Sequence, residues 1–199
     1  MPARSDELIR SSTTNRLRYT RGYLCGAMDR VQDGGEAWRI KLQKDLADLG
    51  IIWMDPTHKP IEVGIEDAAL RNEINAMKKL GMYDECAPPL KVIRAVDLRM
   101  VDIADFLIIN LDIDVHACGT YEELFLANRQ KKPCLIHVEQ GKEATPNWLL
   151  ATVPHEMIFS TWEEIEAYLR HIDKDSLIKH FNRWFFFDWS MCRKFENEA

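Results

Sequence analysis

Two acidic positions of this chain are best suited to chemistry: Glu123 in Gly119-Thr120-Tyr121-Glu122-Glu123, and Asp97. The Gly-Thr segment follows an apolar run and opens an amphipathic one, so Glu123 falls in the first turns of a helix that starts beyond a strand end. One reading of Thr120-x-x-Glu123 is purely local. It is a capping box, in which Thr120 caps the helix and Glu123 returns a hydrogen bond to it. The other reading presents the carboxylate to a ligand. Asp97 lies among Leu90, Ile93, Val101 and Ala104 on one helical face, at i+4 from Ile93 and i−4 from Val101. A carboxylate on such a stripe is costly unless it is paired, neutral or turned toward a polar cavity. Arg94, Arg99 and Asp102 fall on the solvated side of the same helix.

A third group gathers at the first strand-to-helix turn, with Tyr23 on the strand, Asp29-Arg30 after it and Asp33-Gly34-Gly35 at the helix start. Glycines before a helix N-terminus present backbone N–H groups to a phosphate, a carboxylate or sugar hydroxyls. GxGxxG and GxxxxGK[ST] are absent, which removes the main supports for a dinucleotide-dependent dehydrogenase and a P-loop kinase. The GxSxG elbow of a serine hydrolase is absent too. The six histidines show no metal-ligand spacing. The five cysteines are odd in number, scattered and without a CxxC pair, so neither a disulfide framework nor a zinc site is indicated. No metal and no other cofactor is expected, and a reducing cytoplasm fits best.

The elements that must position these groups alternate short apolar runs with longer amphipathic ones, the signature of a parallel sheet flanked by helices. Strands are expected at 22–26, 51–54, 105–111, 133–138 and 155–159. Helices are expected through Trp38, Leu42, Leu46 and Leu49 with Gly50 as stop, then over 65–80, 90–104 and 120–130, and through Trp162, Ile165, Leu169 and Ile172. The near-continuous apolar strand 105–111 belongs at the sheet centre. The expected architecture is α/β, a flavodoxin/Rossmann-like open parallel five-stranded sheet with helices on both faces. In such sheets the ligand crevice lies beyond the carboxyl ends of the strands, where all three groups fall.

Length, at 199 residues with 46% hydrophobic content, supports one domain with appendages. These are a flexible leader over 1–18, a domain over 19–173 with an insertion or lid at 56–89, and an aromatic tail over 174–199. Gly81 to Pro89 reads as a breaker inside the insertion. The tail holds six aromatics between Phe181 and Trp189, read as a helix over its own domain or as an oligomer or pocket contribution. A net charge of −6 gives no support for a nucleic-acid polymer as partner. No apolar run approaches the roughly 18–20 residues that cross a bilayer, so no membrane partner is expected.

Taken together, Tyr23-Leu-Cys-Gly26, Asp33-Gly-Gly35, Asp97-Leu-Arg-Met-Val-Asp-Ile-Ala-Asp105, Asn110-Leu-Asp112 and Gly119-Thr-Tyr-Glu-Glu123-Leu-Phe-Leu-Ala127 resemble the nucleoside 2-deoxyribosyltransferase family in order and spacing. The resemblance covers about residues 20–170, is most specific over 97–127, and leaves 56–89 and the tail unexplained. It implies that Glu123 is the nucleophilic carboxylate, that Tyr23 orients it and that Asp97 is the acid at the base or sugar. Gly26, Asp29, Arg30, Gly34, Gly35, Arg39, Asp112, Gly119 and Thr120 are the expected substrate contacts. Where the family has a further Asp before Gly-Thr, this chain has His116-Ala117-Cys118, and Asp112 or Asp114 takes that place only if the loop folds back.

The activity so implied is transfer of a 2-deoxyribosyl group between bases, the partners being a nucleoside or nucleotide and a free base. Breaking an N-glycosidic bond builds oxocarbenium charge at C1′, which a carboxylate stabilises or attacks, while a second acid assists the departing base. The alternative is a hydrolase of nucleoside 5′-monophosphates, with Arg30, Arg39 and the Gly34-Gly35 helix start on the phosphate. The nucleotide phosphoribohydrolases, whose signature is Pro-Gly-Gly-x-Gly-Thr-x-x-Glu, match only at Gly119-Thr-x-x-Glu123. A third reading is a non-catalytic nucleotide-binding module. A homo-oligomer is expected, because the family often completes its pocket from a neighbouring subunit.

Overall fold

The computed structural model describes residues 15–59, 61–174 and 184. Positions 1–14 of the expected leader, and the aromatic tail apart from Trp184, lie outside the described residues. Five strands form one parallel sheet: β1 (Arg21–Gly26), β2 (Ile52–Met54), β3 (Phe106–Leu111), β4 (Cys134–Val138) and β5 (Ile158–Phe159). Their order is β2-β1-β3-β4-β5, an open α/β sheet of the flavodoxin/Rossmann-like class. Chain direction across the sheet reverses at β1. The crevice therefore opens between the carboxyl ends of β1 and β3.

Among the described residues there are six α-helices: α1 (Glu36–Asp45), α2 (Ala68–Lys79), α3 (Tyr83–Ile103), α4 (Cys118–Arg129), α5 (Asn147–Thr152) and α6 (Trp162–Lys174). Side chains alternate across a strand, so β1 sends Tyr23 and Cys25 to one face and Leu24 to the other. The first face packs on α3, α4 and α5 through Val101, Leu124 and Leu149. The second packs on α1 and α6 through Leu42, Leu46, Ile165 and Leu169. Phe106 to Ile109 are all fully buried, as a central strand covered on both sides requires.

Several local expectations change. The helix through Trp38 ends at Asp45 and finishes as a 3-10 turn, Ala47–Leu49, capped by Gly50 at φ 65°. The segment read as a breaker is mostly helix, because α3 starts at Tyr83 and carries Pro88 and Pro89 inside it. Gly81 alone, at φ 75°, makes the turn. The two prolines remove two N–H donors, and the early turns are held by packing instead: Cys86 is buried and its thiol donates to the Ile74 carbonyl of α2. Residues 155–157 of the expected last strand form a 3-10 turn, leaving β5 only two residues. Helix α4 starts two residues early, at Cys118, with Ala117 at the N-cap.

The ends of the expected domain also shift. Leu17, within the stretch read as leader, is fully buried, and its N–H donates to Asp173 Oδ1 at 2.9 Å. Trp184 from the tail is buried against Phe106, with ring centroids 5.3 Å apart, and its Nε1 donates to the Tyr168 hydroxyl. Among the described residues, no helix is long and apolar enough to cross a membrane.

Candidate functional site

Beyond the carboxyl ends of β1 and β3 lies a cavity of about 430 Å³. Its floor is Glu123 from the second turn of α4, and one wall is α3 with Asp97 and Ile93. Such a volume suits a ligand of nucleoside size. Gly26, Asp29 and Arg30 reach it from the β1–α1 loop, and Gly119 and Thr120 from the first turn of α4. A Cβ built at Gly119 would meet nothing within 4 Å, so the helix N-terminus opens onto free space there.

Both oxygens of Glu123 are held from β1. The Tyr23 hydroxyl donates to Oε1 at 2.8 Å, and the Cys25 thiol donates to Oε2 at 2.9 Å. These contacts displace the capping-box reading, because Glu123 turns away from its own helix end and Thr120 sits inside the helix as a buried residue. Burial pushes Glu123 up to about 7, opposed by the Cys25 and Tyr23 hydrogen bonds and aided by the nearby charge of Asp97. The group thus titrates near neutrality. Burial and the same Glu123 charge push the Tyr23 hydroxyl and the Cys25 thiol well up, which keeps their protons in place as donors.

Asp97 is mostly buried, and burial raises its carboxyl from the ordinary value, against the opposing effect of Lys59. Lys59 Nζ lies 2.6 Å from Asp97 Oδ1 as an ion pair, and this oxygen receives no well-aligned hydrogen bond. Lys59 also donates to the Gly64 carbonyl. The segment after β2 is thereby folded against α3. Glu66 from this segment lines the cavity and is likewise raised by burial, with Arg71 opposing. At the rim Arg94 pairs with Glu122.

Four expected contacts lie elsewhere. Arg39 is fully buried, and its guanidinium donates to the carbonyls of Leu24, Gly35 and Gly26 at 2.6–3.2 Å, with Asp55 3.8 Å from Nε. It is a bracket for the β1–α1 turn and does not line the cavity. Gly34 and Gly35 serve that same turn: both have positive φ, and a Cβ on Gly35 would collide with Arg39 Nη1 and the Ala27 carbonyl. Asp112 accepts from Gln140 at 2.6 Å and from the Asp114 N–H, closing its own loop. Gly35 and Asp112 border a smaller hollow of about 210 Å³.

Three residues of the site escaped the sequence reading. Cys25 had a usable signal, since i+2 from Tyr23 on a strand is the same face. Lys59 and Glu66 had none, because only the path of an irregular segment brings them to α3. Among the described residues no group of three or more His, Cys, Asp or Glu is arranged to hold a metal ion.

Fold and site together define an open α/β protein with a buried, donor-held glutamate and a second raised carboxyl at its topological switch point. No protein-family model and no curated protein matches the chain.

Proposed function

We propose that the protein is an N-glycosidic enzyme of the nucleoside 2-deoxyribosyltransferase type, acting on uncharged deoxynucleosides. The observation that carries this reading is Glu123, a carboxylate at the cavity floor held through both oxygens while Asp97 stands on the neighbouring wall. An oxygen of ionised Glu123 bonds to C1′ as the C1′–N bond breaks. The electron pair of that bond leaves with the base, which takes a proton from Asp97 when that carboxyl, raised by burial and opposed by Lys59, carries one. A second base then loses its proton to Asp97 and attacks C1′, releasing Glu123. Each step needs only carboxyl groups and hydrogen bonds.

The charge of the cavity supports a neutral substrate. Among the charges that border it, Arg94 and Glu122 pair with each other, Lys59 pairs with Asp97 and Arg71 lies 4.0 Å from Glu66, which leaves Asp29 and Glu123 against Arg30. Of the two cations expected on a 5′-phosphate, Arg39 is committed to backbone carbonyls, which leaves Arg30 alone at the rim beside Asp29. The test is to incubate the protein with one deoxynucleoside and a different free base. Formation of the new nucleoside supports the proposal. Free deoxyribose without exchange supports a hydrolase, and ligand-induced stabilisation with no turnover supports a binding module; either result overturns transfer.

A further inference from the structure

We propose that Cys25 is a positioning residue of the reaction: its thiol holds Glu123 Oε2, the attacking oxygen, with a donor weak enough to be handed to the Thr120 carbonyl as the bond to C1′ forms. This rests on the glycosidic reading above. A buried cysteine on a central strand is ordinarily a small core side chain. Here the sulfur has two acceptors, Glu123 Oε2 at 2.9 Å and the Thr120 carbonyl at 3.6 Å. It is fully buried, so no water competes for its proton.

The two oxygens of Glu123 are held unequally. A phenolic hydroxyl is a strong donor and a thiol a weak one. Oε1, bonded to Tyr23, keeps less electron density for attack than Oε2, bonded to Cys25. Attack from Oε2 converts it to an ester oxygen, as the C1′–N pair leaves with the base and Asp97 supplies the proton. An ester oxygen accepts hydrogen bonds poorly, and the Thr120 carbonyl stands ready to take the released S–H. A hydroxyl at position 25 would hold the carboxylate more tightly and yield it less easily.

The groups that act on Glu123 are Tyr23 and Cys25 from β1, Asp97 from α3 and Arg39 from α1. Asp97 opposes ionisation, while Arg39 and the two hydrogen bonds favour it. Cys25→Ala deletes one of those favourable bonds and leaves the other groups in place.

The experiment measures two quantities for wild type, Cys25→Ala, Cys25→Ser and the control Cys134→Ala, which removes a buried thiol from the same core cluster. One is the titration midpoint of Glu123 by carboxyl ¹³C NMR, which needs no turnover. The other is the pH profile of base exchange. In Cys25→Ala both the NMR midpoint and the acidic limb of kcat/KM move up by about one pH unit, as loss of a hydrogen bond to a charged group predicts. In Cys25→Ser the midpoint stays at or below that of wild type, and the plateau rate falls several-fold. Cys134→Ala moves neither. An unchanged Glu123 midpoint in Cys25→Ala overturns the positioning role, and a Cys25→Ser plateau equal to wild type overturns the weak-donor argument. Release of deoxyribose without exchange overturns transfer and moves the pH profile to hydrolysis, whereas absence of both exchange and hydrolysis by wild type overturns the glycosidic reading and the role with it. Should Cys25→Ala fail to fold, Cys25→Ser and wild type still decide the plateau comparison.

Discussion

Lys59 Nζ and Asp97 Oδ1 stand 2.6 Å apart, in an ion pair whose side chains are 1% and 13% exposed. The pair joins the segment after β2 to the α3 wall of the cavity. Removing one partner of such a pair leaves an uncompensated carboxylate where water hardly reaches it.

Lys59→Met is therefore expected to destabilise the fold by about 3 kcal/mol at pH 7. It also raises Asp97 further, since the lysine is the largest influence holding that carboxyl down. The penalty shrinks as the pH falls through the Asp97 titration, because a neutral carboxyl no longer needs the lysine. Denaturant unfolding of both proteins at several pH values checks this, and a penalty that does not change with pH contradicts it.

Glu123→Gln should abolish exchange and yet stabilise the protein at neutral pH. Burial raises the carboxyl from 4.5 to about 7. Between those values the unfolded chain has released its proton while the folded chain retains it, so stability falls as pH rises through the window. The raised value corresponds to about 3 kcal/mol lost by pH 8 relative to pH 4. Glu123→Gln does not titrate, so its advantage over wild type should be near zero at pH 4 and grow to that size by pH 8. Melting temperatures across the range test the trend, and parallel curves for the two proteins would refute it.

Arg39→Met should act on folding. Its guanidinium bonds to three carbonyls of the β1–α1 turn. Leaving these buried acceptors without partners is expected to cost about 3–5 kcal/mol. Arg30→Ala, at an exposed rim position, should leave the melting temperature unchanged. A normal melting temperature for Arg39→Met, together with a raised KM for a monophosphate, would restore Arg39 as a phosphate ligand.

Much of this was legible in the chain itself. Alternating apolar and amphipathic runs located all five strands, and the near-continuous apolar stretch 105–111 marked the sheet centre, because burial on both faces leaves little room for a polar side chain. Glu123, Asp97 and Tyr23 were visible as acids and a hydroxyl at strand ends and on a buried stripe. Pro88 and Pro89 misled, since a missing N–H is a local signal and the packing of Cys86 against α2 overrides it.

Only the tertiary structure decided how the acids are used. Pairing of β1 with β3 sets Tyr23 and Cys25 beneath α4, so that both oxygens of Glu123 find donors from a strand about a hundred residues earlier in the chain. The irregular path after β2 brings Lys59 to Asp97, and the tight β1–α1 turn draws Arg39 away from the cavity. Residue types and periodicity determine which side chains are buried and on which face. Which charge meets which is set by the crossing of distant segments, and this contact carries no periodic trace in sequence.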